Sequence, residues 1–295
     1  MSDIQSVTDP LPLGMGSLTW ERFGDRIMLL IAPRAAILQN MYPELARGVE
    51  QHSTFASEPF DRLFRSGPQI AGVIYDGDAA DTTATSVRDY HKNIRGVDAA
   101  GAPYHALHPW TYYWAHATFL EMMYCSADYF VDPLTDEQKE QLFAEHITWW
   151  QRYGMTMRPV PQNWEEFKRF WEGTLGEKLQ DTPAARTILA IFDDLPKPPF
   201  APWLPDRLWR NVRPPIAYIY RWITIGTLPP TARDALKIVW SERDERALRF
   251  LGRLIRRTWR VVPNRLRYSN RAQDGFRRER RAMRPPRKSR RVRNR

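Results

Sequence analysis

An all-α fold, one large helical domain followed by a short basic tail, is predicted by three observations on this 295-residue chain. Residues 109–129 are apolar on every face, the mark of a helix buried all round. Apolar stripes with spacings of three and four recur on both sides of that segment. The best strand-like run, residues 69–75, is too isolated to seed a sheet.

The elements follow in order. Residues 24–39 carry an apolar run that Pro33 breaks, and residues 42–53 follow with Pro43 suited to a first helical turn. Glu58-Pro59-Phe60-Asp61 opens a short helix through Phe64 and Arg65, which Gly67-Pro68 is expected to interrupt. Residues 86–96 read as a short helix ended by Gly96. On it Val87, His91 and Ile94 share an apolar face, while Arg88, Lys92 and Arg95 point away. After the central helix, Leu134 to Gln138 supplies a staple residue, the N-cap Thr135 and a capping-box glutamine. The helix so started runs to Tyr153 and closes at Gly154, with Leu142, His146, Trp149 and Tyr153 in one stripe. Residues 164–179 form a further helix and 184–192 a short one. Residues 193–215, rich in proline, wrap over the surface and lead through Pro214-Pro215 into a helix at 216–225. A short helix follows at 231–239. Ser241 to Asp244 caps the last helix, whose inward face is Leu248, Leu251, Leu254, Ile255 and Trp259.

Apolar faces occur throughout and there is no internal repeat, so one domain is expected over residues 18–265, after an N-terminal extension at 1–17. The chain holds 12 Trp, 12 Tyr and 13 Phe, concentrated between Trp110 and Trp259. A core of this kind is either simply well packed or wide enough to enclose a flat, apolar ligand. The net charge of +10 resides in residues 266–295, which alone carry 13 basic and 2 acidic side chains. That segment reads as a disordered basic tail. It is either a contact for an anionic membrane surface or nucleic acid, or a solvated appendage. Cys125, the single cysteine, is expected to be a buried thiol in a reducing compartment. The N-terminus lacks a basic start and an apolar core, so no signal peptide is expected. The longest apolar runs fall short of the ~20 residues that span a bilayer. A cytoplasmic protein, soluble or peripheral to the membrane, is therefore expected.

Six histidines are present, and none falls in a zinc spacing, an HExxH motif or a paired Glu-x-x-His motif. There is no glycine-rich phosphate loop and no Gly-x-Ser-x-Gly elbow, which sets aside kinases, Rossmann oxidoreductases and α/β-hydrolases. An all-helical, ring-rich core with inward histidines permits a haem held by one imidazole. Read alone, His91 has either a structural hydrogen bond to make or a metal to hold.

Three segments carry a resemblance. They are Glu50-Gln51-His52-Ser53 with Glu58 to Ser66, then His91 to Gly96, then Tyr113 to Phe119. In this order the chain resembles, over roughly residues 20–265, the oxygenase family of the latex-clearing proteins and the mpaB-type enzymes. The resemblance implies a haem-b oxygenase on a globin-like helical core, cleaving isoprenoid double bonds with O2. It places His91 at the proximal iron ligand and Arg62 at a distal arginine. Ser66 stands where the family has a threonine, and Arg65 where rubber-cleaving members have a lysine. Arginine stays protonated and is a poor iron ligand, so an open or water-occupied sixth position is expected. Arg62 is alternatively a helix-surface partner of Glu58. His116 either orients the haem pocket or hydrogen-bonds a propionate, or it is a satisfied core histidine. Glu50 is the candidate carboxylate base in dioxygen chemistry. His105 and His108 are expected in an exposed loop.

The resulting expectation is a haem-b-dependent oxygenase acting with O2 on an apolar isoprenoid- or lipid-like alkene, in a pocket lined by residues such as Trp114, Phe119 and Met123. The alternatives are a haem protein that transfers electrons or senses gas, and a cofactor-free helical scaffold docked by its basic tail.

Overall fold

The computed structural model describes residues 8–52, 59–97, 101–198 and 201–283, without the side chains of residues 59–65. Its first half holds α1 (Leu18–Arg22), a 3-10 turn (Arg26–Leu30), α2 (Ala32–Asn40), α3 (Pro43–His52) and α4 (Pro59–Tyr75). A second 3-10 turn (Gly77–Ala79) leads to α5 (Ala80–Asp89) and an antiparallel hairpin of β1 (Arg95–Val97) and β2 (Pro103–His105). Then come α6 (Pro109–Tyr129), α7 (Asp136–Arg152), α8 (Trp164–Glu177), α9 (Pro183–Ala190) and α10 (Asp206–Thr227). The chain continues with α11 (Pro230–Ala235), α12 (Glu242–Trp259), α13 (Asn264–Arg267) and α14 (Asn270–Ala282). The all-α class holds, and the hairpin is the sole sheet among the described residues.

The central helix is buried as its composition requires. Tyr113, Trp114, Ala117, Leu120 and Met123 of α6 are fully enclosed. Trp114 donates its indole N–H to the Leu38 carbonyl at 3.0 Å and stacks on Trp171, ring centroids 4.9 Å apart. Trp114 and Met123 are thus core residues rather than walls of an open pocket. On the other side of α6, the buried carboxylate of Glu145 on α7 accepts the backbone N–H groups of Leu18 (3.0 Å) and Thr19 (2.7 Å). That fixes the first turn of α1 against α7. Both capping boxes expected from sequence are present, at Thr135 with Gln138 and at Ser241 with Asp244. Leu254, expected to point inward, is 51% exposed, whereas Leu248 is fully buried.

Three elements differ from the sequence expectation. Helix α4 does not stop at Gly67-Pro68 but runs through Pro68 to Tyr75, absorbing the segment read as strand-like. A proline inside a helix costs ~3 kcal/mol. Full burial of Val73 and Ile74 contributes roughly 1.5–3 kcal/mol each, enough to offset it. Helix α10 likewise begins at Asp206 and passes through Pro214-Pro215. Trp209 before the prolines and Ala217 after them pack into the same small cluster with Phe192 and Leu195.

The third difference is a boundary. The folded body does not end at 265, because α13 and α14 dock onto it. Ala272, Gly275 and Phe276 form one face of α14, and Ala272 and Gly275 are buried. Phe276 packs edge-on to Trp20 and Tyr268, with ring centroids at 5.6 and 5.2 Å. Arg271 grips Asp76, Nε to Oδ1 at 2.6 Å, and Arg278 donates to the Tyr75 carbonyl. The contact is close: a Cβ at Gly24 would lie 2.5 Å from the Ala272 Cβ. The expectation of disorder from residue 266 is therefore corrected for residues 266–283. Residues 284–295 lie outside the described ones.

Candidate active site at His91 and its aromatic wall

His91 sits just past the end of α5, in the turn that leads to β1, and not inside a helix closed by Gly96. Its backbone N–H donates to the Arg88 carbonyl at 2.9 Å, and the Ile94 N–H returns to the His91 carbonyl at 3.1 Å. The imidazole Nδ1 lies 2.9 Å from the Val87 carbonyl oxygen. A carbonyl only accepts, so Nδ1 carries the proton and Nε2 the lone pair. Val87 and His91 thus keep the spacing of four that the sequence suggested, joined by a hydrogen bond. Arg88 anchors this turn to α7 through the Tyr153 carbonyl at 3.0 Å and pairs with Asp89 at 2.9 Å. Lys92 and then Arg88 hold the Asp89 carboxyl below its ordinary range.

Behind His91 stands a wall of rings from α6 and α7. Tyr112 meets the imidazole edge-on at 5.6 Å, and Tyr153 meets Tyr112 edge-on at 5.5 Å. Next comes His116, 5.5 Å from Tyr153 and stacked on His146 at 4.2 Å with planes 21° apart. Both histidines are buried. His146 Nε2 contacts the Tyr113 hydroxyl at 3.3 Å, but His146 Nδ1 and both nitrogens of His116 have no hydrogen-bond partner. Burial pushes His116 down to about 3, and burial followed by the neighbouring His116 pushes His146 well below the ordinary histidine value. The pair is neutral at physiological pH. His116 is therefore neither a satisfied core histidine nor in contact with His91. Each orphaned buried nitrogen costs ~1–3 kcal/mol, a local conflict of the kind that collects at functional sites.

The other wall is the end of α3. Gly48 lies so close to the His91 turn that a Cβ there would stand 3.2 Å from Ile94 Cγ2. The Tyr104 hydroxyl on β2 donates to Gln51 Oε1 at 2.5 Å and lies 3.1 Å from His52 Nε2. The hairpin after His91 is thereby held to the helix that precedes Arg62, Arg65 and Ser66. Those three fall on one face of α4 by their spacing of three and four. Ser66 is exposed, while the side chains of Arg62 and Arg65 lie outside the described ones. Glu50 is exposed and accepts the Ala184 N–H at 3.1 Å, which caps α9. His105 is half-buried on β2, with Nε2 3.3 Å from the Lys92 carbonyl, and His108 is exposed.

Sequence reasoning named His91 and His116 but not His146, Tyr112, Tyr153 or Tyr104 as parts of one arrangement. The signal for His146 was present: a histidine on the apolar stripe of the helix following the His116 helix. Among the described residues no three His, Cys, Asp or Glu side chains gather to hold a metal ion. A haem requires only one imidazole from the protein, and the tautomer of His91 fits that role.

Fold and site together define an all-helical domain in which the His91 imidazole stands against a wall of rings. The chain belongs to the family described as ER-bound oxygenase mpaB/B′/Rubber oxygenase, catalytic domain, whose sequence pattern matches residues 20–257. It is similar to two uncharacterized mycobacterial proteins, Mb2261 of Mycobacterium bovis and Rv2237 of Mycobacterium tuberculosis. Each is 21% identical over 247 residues, covering 80% of this chain and 91% of the relative. No solved structure matches the chain significantly. The family assigns an oxygenase-type catalytic domain, and with it O2 and a small-molecule substrate. Among the described residues no helix is long and apolar enough to cross a membrane.

Proposed function

We propose that the protein is a haem-b-dependent oxygenase acting with O2 on an apolar alkene of isoprenoid or lipid type. The observation that carries this reading is the His91 imidazole, whose Nδ1–H is committed to the Val87 carbonyl, the tautomer that a haem-ligating histidine uses. Haem, when bound, supplies the redox chemistry with O2. The hydrogen bond from Nδ1 fixes the ring orientation and makes Nε2 a stronger donor. Tyr112, edge-on at 5.6 Å, restricts rotation of that ring. His116, two rings further back, acts as a positioning group and not as a ligand.

By the family resemblance, Arg62, Arg65 and Ser66 of α4 would serve the oxygen side of the haem. Arg65 stays protonated and would be a poor iron ligand, where a lysine could coordinate the metal. The Ser66 hydroxyl is a hydrogen-bond donor for a polar ligand there. Glu50 remains the candidate base, with its Oε1 accepting the Ala184 N–H at the start of α9. The rings behind His91 exclude water and suit a hydrocarbon substrate.

The test is spectroscopic. Purified full-length protein supplied with haemin is expected to show a Soret band. His91→Ala abolishes it, His105→Ala retains it, and His116→Leu weakens haem retention far less than His91→Ala. Arg65→Lys shifts the spectrum towards a nitrogen-ligated six-coordinate form. A preparation that stays colourless with haemin overturns the proposal.

A further inference from the structure

A cleft of about 590 Å³, away from His91, is lined by parts of α1, α12, α13 and α14. Seven arginines line it against two carboxylates, Glu21 and Asp132. Three of the arginines are neutralised: Arg267 by the buried Asp25 at 2.6 Å, Arg260 by Asp132, and Arg277 by Asp274. Arg22, Arg256, Arg265 and Arg280 make no ion pair with any described residue. Arg256 donates from Nη2 to the Asp128 carbonyl at 3.1 Å, but its Nε is buried with no hydrogen-bond partner. Burial lowers the pKa of Arg22 despite the nearby carboxylates of Glu21, Asp132 and Asp25. Like charges collected in one concavity repel, and Glu21, Asp132 and the adjacent Asp25 offset only part of the seven. Trp259, Tyr268 and Phe276 supply an apolar wall in the same cleft, and Arg280 lies 6.0 Å from the Phe276 ring.

Guanidinium forks match the oxygens of a phosphoryl group, with two parallel N–H···O bonds from one side chain. The aromatic wall adds a preference for a phosphate carried on an organic group over the bare ion. We propose that this cleft is a binding site for an organic phosphate or diphosphate, its anionic end on Arg22, Arg256 and Arg280 and its carbon skeleton against Trp259 and Phe276. The site shares no residue with the contacts of His91 or His116, so it stands or falls separately from the haem reading.

Two sources of that chemistry, a free metabolite and a phospholipid headgroup, are separated by experiment. Binding of inorganic pyrophosphate to the full chain is measured by calorimetry and by thermal shift. Binding to phosphatidylcholine vesicles with and without phosphatidic acid is measured by co-sedimentation. Pyrophosphate is expected to bind and raise the melting temperature. Arg22→Gln and Arg280→Gln should each weaken binding roughly ten- to hundredfold, the loss of a charged hydrogen bond. Arg246→Gln, an exposed change on α12 outside the cleft, should leave binding unchanged. Capture on phosphatidic acid vesicles that pyrophosphate competes away, and that Arg22→Gln removes, identifies the headgroup as the source. Pyrophosphate binding without vesicle capture identifies a free organic phosphate. Neither substitution unfolds an ion pair, and circular dichroism of each variant checks that directly. No binding of either probe overturns the proposal. So does binding that sulfate reproduces equally, or nucleic-acid binding in its place that the two substitutions leave intact.

Discussion

At the scale of single residues, the stacked His116–His146 pair makes the sharpest demand on pH. Both side chains are buried, and in the unfolded chain each would titrate near the ordinary value of 6.5. Their folded values are depressed, so below pH 6.5 the unfolded state binds protons that the folded state refuses. Stability is therefore complete above pH 6.5 and falls as the pH drops towards the folded value of about 3 for His116. At pH 5 the loss is roughly 2 kcal/mol for each histidine. Unfolding free energies from urea denaturation at pH 8 and pH 5 should differ by that amount less in His116→Leu than in the natural chain. Because His116→Leu removes two unpartnered nitrogens, it should also be neutral or stabilising at pH 8. An unchanged pH response in the variant would show that His116 is protonated, or hydrogen-bonded, in the folded state. His91 belongs to the same scale and was legible in sequence, because its decisive contact, the carbonyl of Val87, is only four residues away. The His pair was not, since stacking across two helices is a product of tertiary packing.

At the scale of elements, local chemistry and burial compete. The two capping boxes were readable because every group in them lies within four residues. Helix α10 continues through its prolines because Trp209 and Ala217, on either side of the break, are buried in one cluster, and α4 continues through Pro68 into the buried Val73 and Ile74, which no local rule reports. The tie between α2, α6 and α10 is of the same non-local kind. Arg34 is almost wholly buried, pairs with Glu121 of α6, and donates Nε–H to the Thr227 carbonyl at 2.5 Å. Glu121→Ala leaves that guanidinium enclosed without a counterion and should cost ~3–5 kcal/mol in denaturant unfolding. The paired replacement Arg34→Met with Glu121→Leu should recover most of this loss, since two apolar groups of similar volume leave no charge stranded. If the double variant is as unstable as Glu121→Ala alone, the bond to Thr227 is the main tie between these helices.

At the scale of the whole molecule, the body of the domain was legible and its end was not. A count of charges over residues 266–295 averages across two unlike parts, and the average hides a helix. Within α14 the arginines flank an apolar face of Ala272, Gly275 and Phe276, spaced three and one apart, which is the pattern of a docking helix. The rings that receive it, Trp20 and Tyr75, come from α1 and α4, so the last helix closes over the first part of the fold. A chain cut after Arg267 loses this cover, the Arg271–Asp76 pair and part of the arginine cleft together. It should melt well below the full chain and expose Trp20 to solvent quenchers. A cut after Met283 keeps every one of those contacts and should retain the melting temperature. Phe276→Ala, within the intact chain, should reproduce much of the loss, towards the low end of ~3–5 kcal/mol because the ring is half-buried. Equal melting temperatures for the two truncations would mean that α14 rides on the surface without supporting it. The same comparison separates the roles of this segment, because Arg22→Gln alters the cleft while leaving the Phe276 contacts in place.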